Sequence, residues 1–447
     1  MDMDYTAKYK VFLFLTVLAG LSLMSAILKN GAGFVFSVFF ITLALVALYG
    51  PREDRKFLVL TLVAAFLIRI ILMYLLHMSS YQSGFGGFVS GDDRLYSLKA
   101  LKLSLVWQAL PYNSIADMGG VEYGVNLFTY ILALFYRFFE PSYFCSKFIN
   151  CFIGSVTVLL AYAAARTMFG NREARVASLL AGFYPSLVRW SICNLRDPIV
   201  ILLIALLVYF VVRIRNDRPW YFKMINIFVI FFLTYLLKDL QKVCFYAVII
   251  TIACFILYKF TVAIGAKRSI LLALALAFVV ICLGNDVIKP VILRKTNEIL
   301  RMNSCLYAAD TAGYKIYDAA LIKEISAGVL NVKSLASAYL RGLGYFLLSP
   351  FPWGISSLNQ LAAYPQVVLW YALLFLAIAG FLAAAKDFKN ESVLMFIFVL
   401  VGISLWSVAE GNIGSAFRHR DYFAVIIFIY AARGITVLRD KWSVSGI

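Results

Sequence analysis

The chain has 447 residues, 63% of them hydrophobic and 14% charged, with a mean hydropathy of +0.87. A soluble domain carries roughly a quarter charged residues, so this composition excludes a soluble enzyme. The net charge of +18, which in a soluble chain would suggest nucleic acid, fits instead the gathering of Lys and Arg in cytoplasmic loops. Apolar runs near 20 residues recur along the whole length, as membrane-spanning helices require. A β-barrel would show short alternating segments instead. The expected class is all-α: one polytopic membrane domain over 1–447, with about twelve transmembrane helices plus interfacial helices. The first apolar run does not read as a lone signal peptide, because spans continue to the end and no small-residue cleavage site stands out.

In chain order the expected spans are 11–29, 32–50, 57–78, 143–165, 176–192, 198–214, 222–237, 243–260, 269–286, 365–385, 392–409 and 421–438. The segment 121–139, "VEYGVNLFTYILALFYRFF", is ambiguous, and charge arbitrates. With the N-terminus inside, the third span delivers a loop, 79–142, to the outer face. If 121–139 does not cross, Arg166, Arg172, Arg175, Arg213, Arg215, Arg218, Lys267, Arg268, Lys386, Lys389, Arg439 and Lys441 all fall inside. If it crosses, they all move outside, against the positive-inside rule. The segment therefore reads as a helix lying in the outer leaflet, with Glu122, Arg137 and Glu140 at its flanks. A second outer loop covers 287–364 and contains an amphipathic stretch, "IYDAALIKEISAGVLNVKSLASAYLRGL". A third, "EGNIGSAFRHRD", is short.

The first loop carries "SGDDRLYSLKALKLS". Asp92 and Asp93 precede Leu95, Leu98, Leu101, Leu105 and Val106, which follow helical spacing. Asp92 suits a helix cap, and both acids suit the positive end of the helix dipole. One of them equally suits a general base or a metal ligand at the membrane surface, and these roles are compatible. In "SICNLRDPIVILL", Pro198 suits a first helical turn, with Asp197 as its cap and Arg196 beside it. On the assigned topology Asp197 shares the outer face with Asp92 and Asp93, and ionisable groups at that depth are functional candidates. Arg418, His419 and Arg420 stand on the outer face against the charge trend. An arginine pair suits bidentate phosphate binding or snorkelling to headgroups. Lys238 and Lys242, with Asp239 between them, form a second outer basic pair. The two histidines of the chain, His77 and His419, make a poor metal set. The seven cysteines form no CxxC pair, which argues against a zinc knuckle. Phosphate-loop, HExxH, GxSxG and dinucleotide signatures are absent. Arg69 and Arg189, inside expected spans, are the residues that keep a transport reading open.

The order of "GDDRLY", then "NLFTYILALFYRFFE", then "YAAARTMFGNREARVASLLAGFYPSL", then "RDP" resembles the GT-C glycosyltransferases that use polyprenyl-phosphate sugars. These include family 39 protein O-mannosyltransferases, lipid A aminoarabinose transferases and oligosaccharyltransferases. The resemblance covers roughly 85–215. It implies that Asp92 or Asp93 activates the acceptor or helps to hold a divalent metal, and that Asp197 is the second acid. It implies that outer basic groups, drawn from Lys238, Lys242, Arg418 and Arg420, bind the donor phosphate. Arg94, Tyr96, Arg196 and His419 complete the expected substrate-binding set. No cofactor is certain, and a divalent metal stays open. Asp93 stands where the family commonly has Glu, and two spans precede the usual first one. The expected activity is sugar transfer from a polyprenyl-phosphate or polyprenyl-diphosphate donor to a glycan, lipid or protein acceptor. It would take place on the extracytoplasmic face of a bacterial cytoplasmic (inner) membrane, with no nucleic-acid partner. A polysaccharide polymerase or ligase and a glycolipid flippase are the rival readings.

Overall fold

The computed structural model describes residues 5–109, 125–139, 141–214, 219–263, 288–301, 315–328, 331–355, 358–385 and 390–444. The described chain is helical, with one isolated β-bridge, Lys315 to Asn412. Eight of its helices are long and apolar enough to cross a membrane, so the chain is a multi-pass membrane protein. It folds as two compact units, Met1–Leu240 and Gln241–Ile447.

The first unit holds α1 (Tyr5–Ile27), α2 (Gly31–Tyr49), α3 (Arg55–Gln82), α4 (Gly91–Ala109), α5 (Leu127–Phe138), α6 (Tyr143–Met168), α7 (Asn171–Phe183), α8 (Pro185–Ser191), α9 (Asp197–Val212) and α10 (Trp220–Leu240). Its centre is α6, which packs on α3, α7 and α9. Caps set several starts. Asn30, Asn126 and Ser142 each accept a backbone N–H from three residues on, at 2.9, 3.1 and 3.2 Å, which satisfies donors that the first helical turn leaves open. Helix α9 is apolar on all sides and buried through Val200, Ile204, Ala205 and Val208, as an all-round apolar helix must be.

The count near twelve spans is not reached among the described residues. The expected span 176–192 is two helices, α7 and α8. The chain breaks at Tyr184–Pro185, because proline has no N–H to continue the ladder. The expected span 198–214 is the 16-residue α9, and 269–286 lies outside the described residues. The ambiguous segment is the 12-residue α5, about 18 Å long against a hydrocarbon core of about 30 Å. Its 121–124 portion and Glu140 lie outside the described residues. Phe128, Leu132 and Tyr136 are buried on one face, while Tyr130, Leu134 and Phe138 are exposed.

The second unit holds α11 (Lys242–Ala263), α12 (Ile288–Leu300), α13 (Ala319–Ala327), α14 (Val332–Leu348), α15 (Leu358–Ala385), α16 (Asn390–Ala409), α17 (Ile413–His419) and α18 (Ala424–Val444). Helices α15 and α18 pack closely through small residues. A Cβ on Gly380 would lie 1.9 Å from the Tyr430 carbonyl oxygen, and one on Gly434 would lie 2.0 Å from that of Leu376. Such approach between backbones is what small residues permit in membranes. The amphipathic stretch of the second loop forms α13 and α14. Asp318 caps the first, accepting from Leu321 N at 2.9 Å, and Asn331 caps the second, accepting from Ser334 N at 3.0 Å.

Candidate active site

In the first unit, "GFGGF" closes the turn after α3. Gly87 has φ +81°, and a Cβ there would strike the His77 ring at 2.2 Å, so the position requires glycine. This turn aims the Gly87 carbonyl at Lys147 Nζ, which donates to it at 2.7 Å. His77 Nδ1 lies 3.1 Å from the same oxygen. His77 is thus part of the turn.

Helix α4 then starts by a reciprocal cap. Ser90 Oγ accepts from Asp93 N–H at 3.2 Å, and Asp93 Oδ2 accepts from Val89 N–H at 2.9 Å. This is the logic of a capping box. The cap is therefore Ser90, not the expected Asp92. Asp93 is fully buried, and its other contacts come from elsewhere in the unit. Lys147 Nζ, itself fully buried, lies 3.3 Å from Oδ2. Asn194 N–H donates to Oδ1 at 3.0 Å. Asp92, one position earlier and about 100° round the helix, is exposed. Arg94 is exposed as well, and Tyr96 is half-buried with its ring edge-on to Phe128 at 5.5 Å.

The turn before α9 meets this corner. Asn150 Nδ2 donates to the Cys193 and Leu195 carbonyls at 2.6 and 2.8 Å. Asn194 Nδ2 donates to Ser97 Oγ and Ser146 Oγ at 2.9 and 2.8 Å, and the Tyr136 hydroxyl lies 3.0 Å from Ser146 Oγ. Burial pushes the Tyr136 hydroxyl well above its usual titration range, so it stays a neutral hydrogen-bonding group. Asp197 is fully buried in the first turn of α9 with Pro198 after it, and Arg196 is half-buried. The expected cap at Asp197 is corrected: Asp197 is the first residue of the helix, and the flanking residue is Arg196, whose side chain makes no capping hydrogen bond. Asp239 accepts from Leu127 N–H and so fastens the start of α5 to the end of α10. Lys238, beside it, is exposed. The opposite end of α6 is fastened separately. Asp54, fully buried, takes Tyr162 OH at 2.5 Å and Arg175 Nε at 2.6 Å.

Arg69 sits fully buried between the two ends. Its Nη1 donates to the Ala65 and Gly182 carbonyls, each at 2.8 Å, and its Nε donates to Ser191 Oγ at 2.9 Å. The guanidinium therefore bridges the α7–α8 break, holding a carbonyl on one side and a hydroxyl on the other. Arg69 has a structural task here, which removes it as a motive for a transport pathway. Arg189 lies exposed in the last turn of α8. Arg69→Leu is expected to leave three buried acceptors without this donor, at about 1–3 kcal/mol for each one left unsatisfied. The check is thermal unfolding of the purified protein together with maleimide labelling of Cys193, which is buried two residues beyond Ser191.

In the second unit, Lys242 starts α11 and is exposed. His419 Nδ1 bonds Glu410, whose other oxygen accepts from Ser415 Oγ. The imidazole stacks on Trp406, with centroids 4.3 Å apart. Arg418 is half-buried. Arg420 is turned inward and only 1% exposed, with Nη1 donating to the Ser349 carbonyl at 2.7 Å. Its guanidinium lies 4.3 Å from the Phe417 ring centroid and 5.0 Å from that of Trp370. The expected outward fork of two arginines is therefore divided between an interior Arg420 and a half-buried Arg418.

Among the described residues, no group of three His, Cys, Asp or Glu side chains is placed to hold a metal ion. Asp93 is already engaged by a lysine and two backbone N–H groups. A divalent cation takes several oxygen ligands, and the described donors of this corner do not supply that set.

Residues 126–284 match the family model for dolichyl-phosphate-mannose-protein mannosyltransferase. This is a GT-C glycosyltransferase fold. No curated protein matches the chain in sequence. Two solved oligosaccharyltransferase structures from Archaeoglobus fulgidus are similar, the first of them named AglB. One is in complex with an inhibitory peptide and a dolichol-phosphate, with 17% identity and a TM-score of 0.47, covering 88% of this chain. The other is the apo form, with 15% identity and a TM-score of 0.45, covering 85%. The chain spans about half of their length, 51% in each case. The family match begins at the cap of α5 and takes in Lys147, Asn150, Asn194 and Asp197. Asp92 and Asp93 precede it. The sequence reading did not single out Lys147, Asn150, Glu410 or Ser415. A lysine in the second turn of a long apolar helix was the one visible signal for Lys147.

Proposed function

We propose that this protein transfers a sugar from a polyprenyl-phosphate donor to an acceptor hydroxyl, on the extracytoplasmic face of a bacterial inner membrane, in cell-envelope glycan synthesis. The observation that carries this reading is the division of labour at the start of α4. Asp93 is consumed by Lys147, Val89 and Asn194, while the adjacent Asp92 faces outward from a rigid corner. A carboxylate presented in that way is suited to accept a proton. The matched family is described by a polyprenyl-type phosphate monosaccharide as donor, which favours that donor over a diphosphate-linked glycan. The bias of Arg166, Arg172 and Arg175 toward the far end of α6 supports an extracytoplasmic position for Asp92.

In this reading Asp92 removes the proton from the acceptor hydroxyl as its oxygen bonds to the anomeric carbon. The bond from that carbon to the phosphate oxygen breaks, and its electron pair leaves with the polyprenyl phosphate. Cationic groups of the first unit, among Lys238, Arg196 and Arg94, stabilise that charge. One displacement inverts the anomeric centre. Asp197 and Asp93 act as positioning acids. The test is incubation of the purified protein with a panel of undecaprenyl-phosphate and undecaprenyl-diphosphate sugars, followed by mass spectrometry of lipid and acceptor. Release of undecaprenyl phosphate with a glycosylated acceptor is expected. Turnover of diphosphate glycans alone, lost on Arg418 replacement but kept in Asp92→Asn, would establish the polymerase or ligase reading instead.

A further inference from the structure

A concave feature lies in the second unit, among residues to which the proposed chemistry assigns nothing. Lys315, Tyr345, Pro350, Phe351, Trp353, Gly354 and Ile413 line a cavity of about 230 Å³. Its aromatic side is ordered. The Phe351 and Trp353 rings stack with centroids 5.1 Å apart and planes 12° apart. Tyr345 stands edge-on to Phe351 at 5.1 Å and 87°. Trp353 is 83% exposed, so the stack with Phe351 leaves most of its surface uncovered.

The charged residue of the lining, Lys315, is fixed in place through its backbone. Lys315 is bridged to Asn412 through the backbone, and Ile316 N–H donates to the Gly411 carbonyl at 3.1 Å. The Ser349 carbonyl, next to Pro350, is held by Arg420. The cavity is thus tied on one side to the segment before α17 and on the other to Arg420.

We infer that this cavity is a saccharide subsite that takes one pyranose ring, the ring's C–H face lying on the uncovered face of Trp353, which Phe351 backs, and its hydroxyls meeting Lys315. The volume falls below the roughly 300 Å³ at which drug-sized pockets begin, so it suits a single ring and not a prenyl chain. Flat aromatic surface matches the apolar face of a pyranose, and an ammonium group supplies three donors for hydroxyl oxygens. The inference rests on the glycosyltransferase reading only for the source of the sugar, which is either the donor or the growing acceptor.

The test is saturation-transfer NMR on the full-length protein in lipid nanodiscs, free of sugar-based detergent. The probes are methyl α-D-mannopyranoside, methyl β-D-glucopyranoside and methyl N-acetyl-β-D-glucosaminide. Transfer to ring C–H protons of at least one probe is expected. Trp353→Ala should weaken it roughly tenfold, the equivalent of one aromatic stacking contact, while Trp353→Phe should retain it. Asp92→Asn should leave it unchanged, so binding is read without catalysis. If the sugar binds and no lipid-linked donor turns over, the subsite stands and the transferase reading fails. Competition of the probe by an undecaprenyl-phosphate sugar assigns the ring to the donor, and competition by an oligosaccharide acceptor assigns it to the acceptor. The inference is overturned by the absence of transfer from every probe. It is equally overturned by undiminished transfer in Trp353→Ala, with that variant altering only quenching by brominated lipids. That outcome would make Trp353 an interfacial anchor.

Discussion

Lys147→Met is expected to destabilise the first unit by about 3–5 kcal/mol, because it leaves the Asp93 carboxylate buried without its counter-charge. Asp93→Asn should act in the same direction, stranding the ammonium group. The double variant, Asp93→Asn with Lys147→Met, should recover much of either loss, since no buried charge is left alone. Thermal or denaturant unfolding of the four proteins in one detergent closes the cycle. Equal and additive losses would mean that the 3.3 Å pair is not coupled. The contrast matters because a catalytic carboxylate that must change protonation is poorly served by a permanently paired, fully buried site.

Asp92→Asn should do the reverse. Stability should hold within about 0.5 kcal/mol, as for most exposed positions. Transfer should fall about 10²–10⁴-fold, the usual contribution of a positioned acid or base. The loss should appear in kcat more than in KM, because the proton is taken in the transition state. The measurement is steady-state release of undecaprenyl phosphate with the donor identified by mass spectrometry. Retained turnover in Asp92→Asn with a stable fold would remove this residue as the base.

Adjacent acids illustrate what sequence alone can resolve. Composition and spacing located the helix that begins at Gly91 and the doubly negative start. They could not divide Asp92 from Asp93, because the helical phase that turns one inward depends on where Lys147 and Asn194 arrive. The same holds for "RHR". Arg418 and Arg420 look equivalent as letters, yet the ring faces of Trp370 and Phe417 draw Arg420 inside. Charge topology argued against a crossing by 121–139, and the helix described there, α5, has 12 residues. The run 176–192 was misread because hydropathy averages over Pro185, whereas the backbone ladder cannot. Arg69 looked like an intramembrane charge in search of a pathway. Two of its three partners, the carbonyls of Ala65 and Gly182, are main-chain groups that no pattern of side chains announces.

The Asp93–Lys147 pair also constrains how the protein is made. Lys147 enters the bilayer as part of α6, after the stretch that carries Asp93 has been synthesised. It lies near the start of that helix, so its flexible stem lets the ammonium reach surface water while it waits. Its stable location becomes interior only when Gly87, Val89 and Asp93 close over it. Burial of this ammonium group therefore needs two parts of the chain at once, the inserted α6 and the turn that carries Gly87 and Asp93. Opening that turn alone would expose the lysine amine to modification, and closing it would hide the amine again.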